Sequence, residues 1–237
     1  MKRPLKKLTK EKIIIDYFKK IVKDNFHASL VEDATFTPNE EYPILKSEFI
    51  SDEIPKKIIP FDKSKEVKNR KDYYVCFYCA DETFNKTYTY PKKYLKYLST
   101  FAGVITQDWS IHEDLPIIKQ KENMNKNLEV AYYYGNNGLK IIPNIRVGTD
   151  KIKEEYYKAI PKHSTIAIGT YGFIKSVKEQ ENFDAFIEDV IHYLEPRDII
   201  VYGAMPKRVF NKYIKYGVRF HQYGPYVTTK FGDSHGK

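Results

Sequence analysis

The stretch Leu139-Lys-Ile-Ile-Pro-Asn-Ile-Arg-Val-Gly148 is an apolar run that finishes in Asn144, Arg146 and Gly148. The same pattern recurs in Thr165-Ile-Ala-Ile-Gly169-Thr170-Tyr171-Gly172 and in Ile199-Ile-Val-Tyr202-Gly203. A related run precedes it, Ala102-Gly-Val-Ile-Thr-Gln-Asp108-Trp109-Ser110. Continuous apolar runs, as opposed to alternating ones, describe strands covered on both faces, the signature of a parallel sheet. Helical patterns lie between them, over 111–137, 150–159, 179–195 and 205–216, and a last strand is predicted over 218–223. Gly138 and Gly217 stand where helix C′ glycines belong, and Pro196 stops the helix before it. Strand and helix in alternation predict βαβ units.

Upstream, Asp72-Tyr-Tyr-Val-Cys-Phe-Tyr-Cys79 is aromatic and β-branched and predicts one more strand. Pro91 opens a short helix. The predicted fold class is α/β, built of βα repeats with a mainly parallel sheet in a partial or barrel-like β/α layer. An open doubly wound sheet is the alternative. A full eightfold barrel typically needs about 250 residues, and this chain has 237. Residues 28–72 hold no sustained period and are broken by Pro38, Pro43, Pro55 and Pro60, so an irregular wrap is expected there. Thr9 is a suitable N-cap for an amphipathic helix over 10–24. The expected organisation is a basic N-terminal helix and wrap over 1–72, then one α/β domain over 73–237.

The net charge is +9. Residues 1–27 hold nine Lys/Arg against three acids, residues 28–100 hold twelve of each, and residues 101–237 hold nineteen against sixteen. The basicity is therefore concentrated at the N-terminus. Part of the lysine count reflects a composition rich in Lys, Tyr, Ile and Asn. Lys6, Lys7, Lys12, Lys19 and Lys20 are the candidate nucleic-acid contacts. The helix that carries them is either a surface helix docked by one face or a nucleic-acid or partner helix. No apolar run approaches the length of a membrane span, about 18 residues, and the basic N-terminus lacks the apolar core of a signal peptide, so a cytoplasmic location is expected. Cys76 and Cys79 make no disulfide framework. Their Cys-x-x-Cys spacing lacks the second ligand pair of a zinc site and the helix of a redox pair, so a structural role is the simpler reading.

Ligands of parallel α/β folds bind at the carboxyl ends of the strands. The residues there form the candidate site. Asp108 and Tyr171 are the candidate catalytic groups. Ser110, Asn144, Arg146, Gly169, Thr170, Tyr202, Gly203 and Gln222 are the candidate ligand or anion contacts, with His221 beside them. Arg146 offers a planar fork for phosphate or carboxylate, and Gly169 to Gly172 would leave N–H groups at a turn. The competing reading is a buried Asp108–Arg146 pair and glycines that only make turns. No Walker, dinucleotide-binding, nucleophile-elbow or His-Glu-x-x-His motif is present. No cofactor is indicated, and a divalent metal is left open without a motif.

Asp108-Trp-Ser110 with Leu115-Pro116, Gly138 with Ile142-Pro143-Asn-Ile-Arg146 and Gly148, and the two runs ending at Gly172 and Gly203 are similar to a family of phage-, prophage- and plasmid-encoded proteins. It is the family known as domain of unknown function four-four-one-seven. The resemblance spans about residues 100–223. It departs at Val147, where the family tends to carry an aromatic residue, and at Tyr171, where it tends to carry histidine. The resemblance implies a mobile genetic element and no particular reaction. Three functions then compete: association with DNA or RNA in replication or DNA processing; binding or turnover of a phosphate-bearing small molecule such as a nucleotide; and interaction with a host protein. Whether the chain is an enzyme, and its oligomeric state, stay open at this level.

Overall fold

Seven parallel strands follow one another through the chain: β1 (Lys57–Pro60), β2 (Tyr73–Cys76), β3 (Gly103–Ile105), β4 (Ile141–Ile142), β5 (Thr165–Gly169), β6 (Asp198–Tyr202) and β7 (Phe220–Tyr223). The computed structural model describes Asp24 and residues 27–112, 114–172 and 174–226. The helix expected over 10–24 lies outside these apart from Asp24, and so do Lys6, Lys7, Lys12, Lys19 and Lys20. Seven α-helices accompany the strands among the described residues: α1 (Asp81–Phe84), α2 (Lys86–Thr89), α3 (Pro91–Leu98), α4 (Ile117–Asn136), α5 (Asp150–Lys158), α6 (Val177–Leu194) and α7 (Lys207–Lys215).

The strands pair in the order β1-β2-β3-β4 and β5-β6-β7, every pair parallel. Spatial order equals chain order, without the reversal that defines a doubly wound sheet. The break between β4 and β5 has a local cause. At its amino end, β4 pairs with Ile50, and Ser51 N–H donates to the Ile141 carbonyl at 2.8 Å. At its carboxyl end β4 passes to β5: Ile145 N–H donates to the Ala167 carbonyl and Ala167 N–H to the Pro143 carbonyl, each at 2.8 Å. The N-terminal segment is thus wedged between two strands that meet above it. β4 is short because the Asn144 N–H leaves the ladder and donates to the Thr106 hydroxyl at 2.9 Å.

Alternation along each strand sorts two cores. Ile58, Tyr74, Cys76, Ile105, Ile142, Ala167, Ile200 and Tyr202 pack together on the inner face. Their neighbours Ile59, Val75, Val104, Ile141, Ile166, Ile199 and Val201 pack outward against the helices. A common inner cluster drawn from β1 through β6, with Tyr223 of β7 against it, is the interior of a barrel-like layer. The seam between β7 and β1 is crossed by the Tyr223 hydroxyl, which donates to the Pro55 carbonyl. No strand ladder joins β1 to β7 among the described residues.

Segment 28–72, expected to be irregular, contributes β1. Its pairing partner is β2, in register from Lys57↔Tyr73 to Pro60↔Cys76. Pro60 is tolerated as the last strand residue of an edge. Gly138 and Gly217 adopt φ of 81° and 89°, as helix-ending glycines do. Glu195, next to Pro196, ends α6 in the left-handed region.

Candidate functional site

Asp108 follows β3 in a loop pinned from two sides. Trp109 N–H donates to Asn127 Oδ1 of α4 at 3.0 Å, and the Trp109 indole donates to Asn85 Oδ1 at 2.6 Å. Ser110 donates through both its N–H and its hydroxyl to Asp81, at 3.1 Å each. The loop therefore delivers the Asp108 carboxylate at a fixed place over the carboxyl end of the barrel. There Asn144 Nδ2 donates to Oδ1 at 2.7 Å and Arg146 Nη1 donates to Oδ2 at 2.9 Å. The Asp108 side chain keeps 11% of its surface exposed, and Arg146 keeps 22%. Burial pushes the Asp108 carboxyl above its ordinary value, and the Arg146 charge and Asn144 amide pull it only part of the way back.

Tyr78, two residues beyond β2, completes the network by donating its hydroxyl to Asn144 Oδ1 at 2.8 Å. That bond fixes the Asn144 amide with its Nδ2 towards Asp108. The Tyr78 ring lies on Tyr202 at a centroid distance of 4.9 Å and an interplanar angle of 14°. Gly169 leaves room for it, since a Cβ there would stand 2.6 Å from Tyr78 Cε1. Tyr156 donates to the Asn144 carbonyl at 3.2 Å from below. Burial moves the phenols of both Tyr78 and Tyr202 upward, so both stay protonated; Tyr78 donates to Asn144, and the Tyr202 hydroxyl accepts from Tyr226 N–H at 3.1 Å.

The network opens into a cavity of about 530 Å³. Asp108, Asn144, Arg146 and Gly169 line one side, and α6 lines the other with Glu179, Phe183, Phe186 and Asp189. Lys153 of α5 bridges Asp150, at 2.9 Å, and Asp189. The start of α6 is a capping box: Ser176 Oγ accepts from Glu179 N–H at 3.2 Å, and Glu179 Oε2 accepts from Ser176 N–H at 2.7 Å. Buried Ile174 also lines the cavity, in the left-handed region at φ 69°, a strained conformation for a β-branched residue. A broader depression of about 710 Å³ lies at the far ends of α5 and α6 and shares no residue with the network.

The other sequence candidates take different places. Ser110 faces Asp81. Thr170 spends its hydroxyl on the Ala204 carbonyl at 2.8 Å, tying the ends of β5 and β6. Gly203, at φ 128°, lies against Thr170 where a Cβ would collide. Tyr171 is 53% exposed and edge-on to Tyr202 at 6.3 Å, outside the cavity lining. Gln222 donates to the Gly203 carbonyl at 2.9 Å and is exposed. His221 does not join the carboxyl-end cluster. The register His221↔Ile200 sets it low on the sheet, where Nε2 meets Asp198 Oδ1 at 2.8 Å. Tyr78, Phe183 and Phe186 were not among the sequence candidates. A tyrosine at the carboxyl end of a strand run was the signal for the first, and the Ser176-x-x-Glu179 box flags the helix that carries the others. Cys76 is buried in the inner core, and burial raises both thiols, Cys79 to about 12, so neither is a ready thiolate. Among the described residues no group of three His, Cys, Asp or Glu is placed to hold a metal, and no helix is long and apolar enough to cross a membrane.

Comparison with known proteins places this geometry in a family. The model described as domain of unknown function (DUF4417) matches residues 37–223, beginning upstream of β1. The Gene 1 protein of Mycobacterium phage L5 is 24% identical over 129 residues, 54% of this chain and 56% of that protein. The Gene 1 protein of Mycobacterium phage D29 is 22% identical over 129 residues, 54% of this chain and 48% of that protein. The chain thus spans about half the length of the curated relatives it matches. No solved structure matches it. With its family model covering every strand of the sheet, the chain belongs to the DUF4417 family, a phage-associated family of unknown function.

Proposed function

We propose that the protein binds, and acts on, a small polar molecule at the carboxyl end of its barrel-like sheet, with Asp108 as the acting group. The observation that supports this most is the convergence of one network, Tyr78–Asn144–Asp108–Arg146, on one side of a cavity of about 530 Å³. Carboxyl-end loops carry the active sites of β/α barrels. A largely buried carboxyl with a raised pKa, held by two donors, suits proton transfer or the anchoring of a donor group.

The lining also bears on the ligand. Asp108, Asp150, Glu179, Glu188 and Asp189 stand against Arg146 and Lys153, and both cations are salt-bridged to carboxylates of the same lining. That balance favours a ligand rich in hydrogen-bond donors or positively charged, packed on Phe183 and Phe186. It disfavours the phosphate-bearing small molecule that Arg146 alone suggests. Association with nucleic acid in replication or DNA processing finds no support in this acidic cavity, and its N-terminal lysines lie outside the described residues.

Thermal unfolding across a panel of amines, amino acids, nucleosides and sugar phosphates tests the reading. At least one donor-rich compound is expected to raise Tm by several degrees. Asp108→Asn and Phe183→Ala should each abolish that shift while leaving a cooperative transition. A panel without any shift, or a shift that survives both substitutions, refutes it.

A further inference from the structure

Residues 28–100 carry no net charge, yet the charge is segregated. Residues 28–61 hold three Lys/Arg against seven acids, and residues 62–100 hold nine against five. The structure sets two parts of the second group, the turn of 61–72 and α3, against each other. Ser64 Oγ and the Tyr97 hydroxyl are 2.9 Å apart, so the turn of 61–66 lies along α3. The Arg70 guanidinium sits over the Tyr97 ring at 5.0 Å and the Phe101 ring at 5.4 Å, and Lys71 Nζ caps the Phe101 carbonyl at 3.0 Å. Lys65 and Lys68 are exposed on this turn. The polar side of α3 is Lys92, Lys93 and Lys96, all exposed and all within an arc of about 100° at helical spacing.

Helix stability does not account for this placement. Lys92 and Lys93 occupy the first turn of α3, where the helix dipole disfavours cations, and that turn holds no acidic residue. α7 shows the contrast. Its Arg208 and Lys212 are also cations on a short helix, but each meets a carboxylate of α6, Glu181 at 2.9 Å and Asp184 at 2.6 Å. Among the described residues Lys65, Lys68, Lys92 and Lys96 form no salt bridge. Glu66, the acid nearest Lys65 and Lys68 in sequence, accepts from the Tyr226 hydroxyl at 3.2 Å. Tyr90, at the N-cap of α3, is 56% exposed.

We propose that this face, α3 with the turn of 62–72, binds a single strand of nucleic acid. Lysines spaced along the face neutralise successive phosphates, and Tyr90 offers a platform on which a base stacks. The face shares no residue with the acidic cavity, and it stands whether or not the cavity takes a small molecule.

Fluorescence anisotropy of the full chain with a labelled oligothymidylate of about 20 nucleotides, over a salt series, tests it. Lys92→Gln/Lys93→Gln/Lys96→Gln should weaken binding at least tenfold and reduce the slope of log K against log salt by about 2, at roughly 0.7 per phosphate for single strands. Tyr90→Ala should weaken binding without changing the slope. An unchanged Tm confirms that the triple variant is folded. The proposal fails if the wild type does not bind, if the triple variant keeps both affinity and slope, or if the whole loss is reproduced only by replacing Lys6, Lys7, Lys12, Lys19 and Lys20.

Discussion

Asp108 and Glu155 are carboxyls that their surroundings shift in opposite directions. For Asp108 the loss of water outweighs Arg146 and Asn144, and the carboxyl rises. Glu155 gains from Lys158 at 2.6 Å, and it also accepts from the backbone and side chain of Asn39, at 3.2 and 3.0 Å, so its carboxyl falls from 4.5 to about 2. A depressed carboxyl stabilises the fold at pH above its ordinary value, and that contribution disappears as pH falls from 4.5 to about 2. Glu155→Gln should therefore cost about 1 kcal/mol near neutral pH. The gap from wild type should close as the solution is acidified through that window, read as urea midpoints. A gap that stays constant with pH would remove the charge from the explanation. Site residues were legible to a similar physical depth. The Asp108–Arg146 pair was one of two readings of the strand ends, and the structure forms it because β3 and β4 are neighbours. Tyr78 was hidden because its run was read for its cysteines, and a stacking partner 124 positions away, Tyr202, has no local signature.

At the scale of elements, the strands that announced themselves were those buried on both faces, such as Thr165–Gly169 and Asp198–Tyr202, each with an unbroken apolar run after its first residue. β1 gave only Ile58 and Ile59 between Lys57 and Pro60, too short a pattern to outweigh the prolines around it. α1 and α2 are four residues each, about one turn, below the length at which a helical period can be counted. The period of α6 was clear, but nothing in it singled out Phe183 and Phe186. In the structure they pack against the edge of the core and line the cavity as well. Gly169 links these elements. Its close approach to Tyr78 is steric, so Gly169→Ala should force the ring off Tyr202 and stretch the bond to Asn144. The expected loss is about 1–3 kcal/mol of stability, as for other overpacked sites. Fluorescence of the tyrosines and the unfolding midpoint would report it. An alanine variant with wild-type stability would show that the stack is looser than the geometry implies.

The whole molecule has two charged poles, one at each end of the sheet, and their chemistry differs. At the amino end Asp198, 8% exposed, accepts from Arg197 at 3.3 Å and Arg219 at 2.9 Å and meets His221 at 2.8 Å. Arg197 also reaches Asp52 at 2.9 Å and the Thr165 hydroxyl at 2.8 Å, clamping the wedge of residues 50–52 to β5 and β6. None of these residues lines the cavity beside Asp108. In barrels the amino end serves stability and the carboxyl end serves chemistry. Asp198→Asn removes an acceptor shared by Arg197 and Arg219, whose side chains are 36% and 59% exposed and regain water, so it should cost about 1–2 kcal/mol. The ligand-induced rise in Tm should persist in that variant, because the wedge and the cavity are at opposite ends of the strands. Asp108→Asn should do the reverse, with a smaller fall in Tm and the complete loss of the ligand shift. Measuring Tm with and without the ligand in both variants separates the poles. If Asp198→Asn abolishes the shift while still unfolding cooperatively, the two ends are coupled through the sheet, and the division of labour fails.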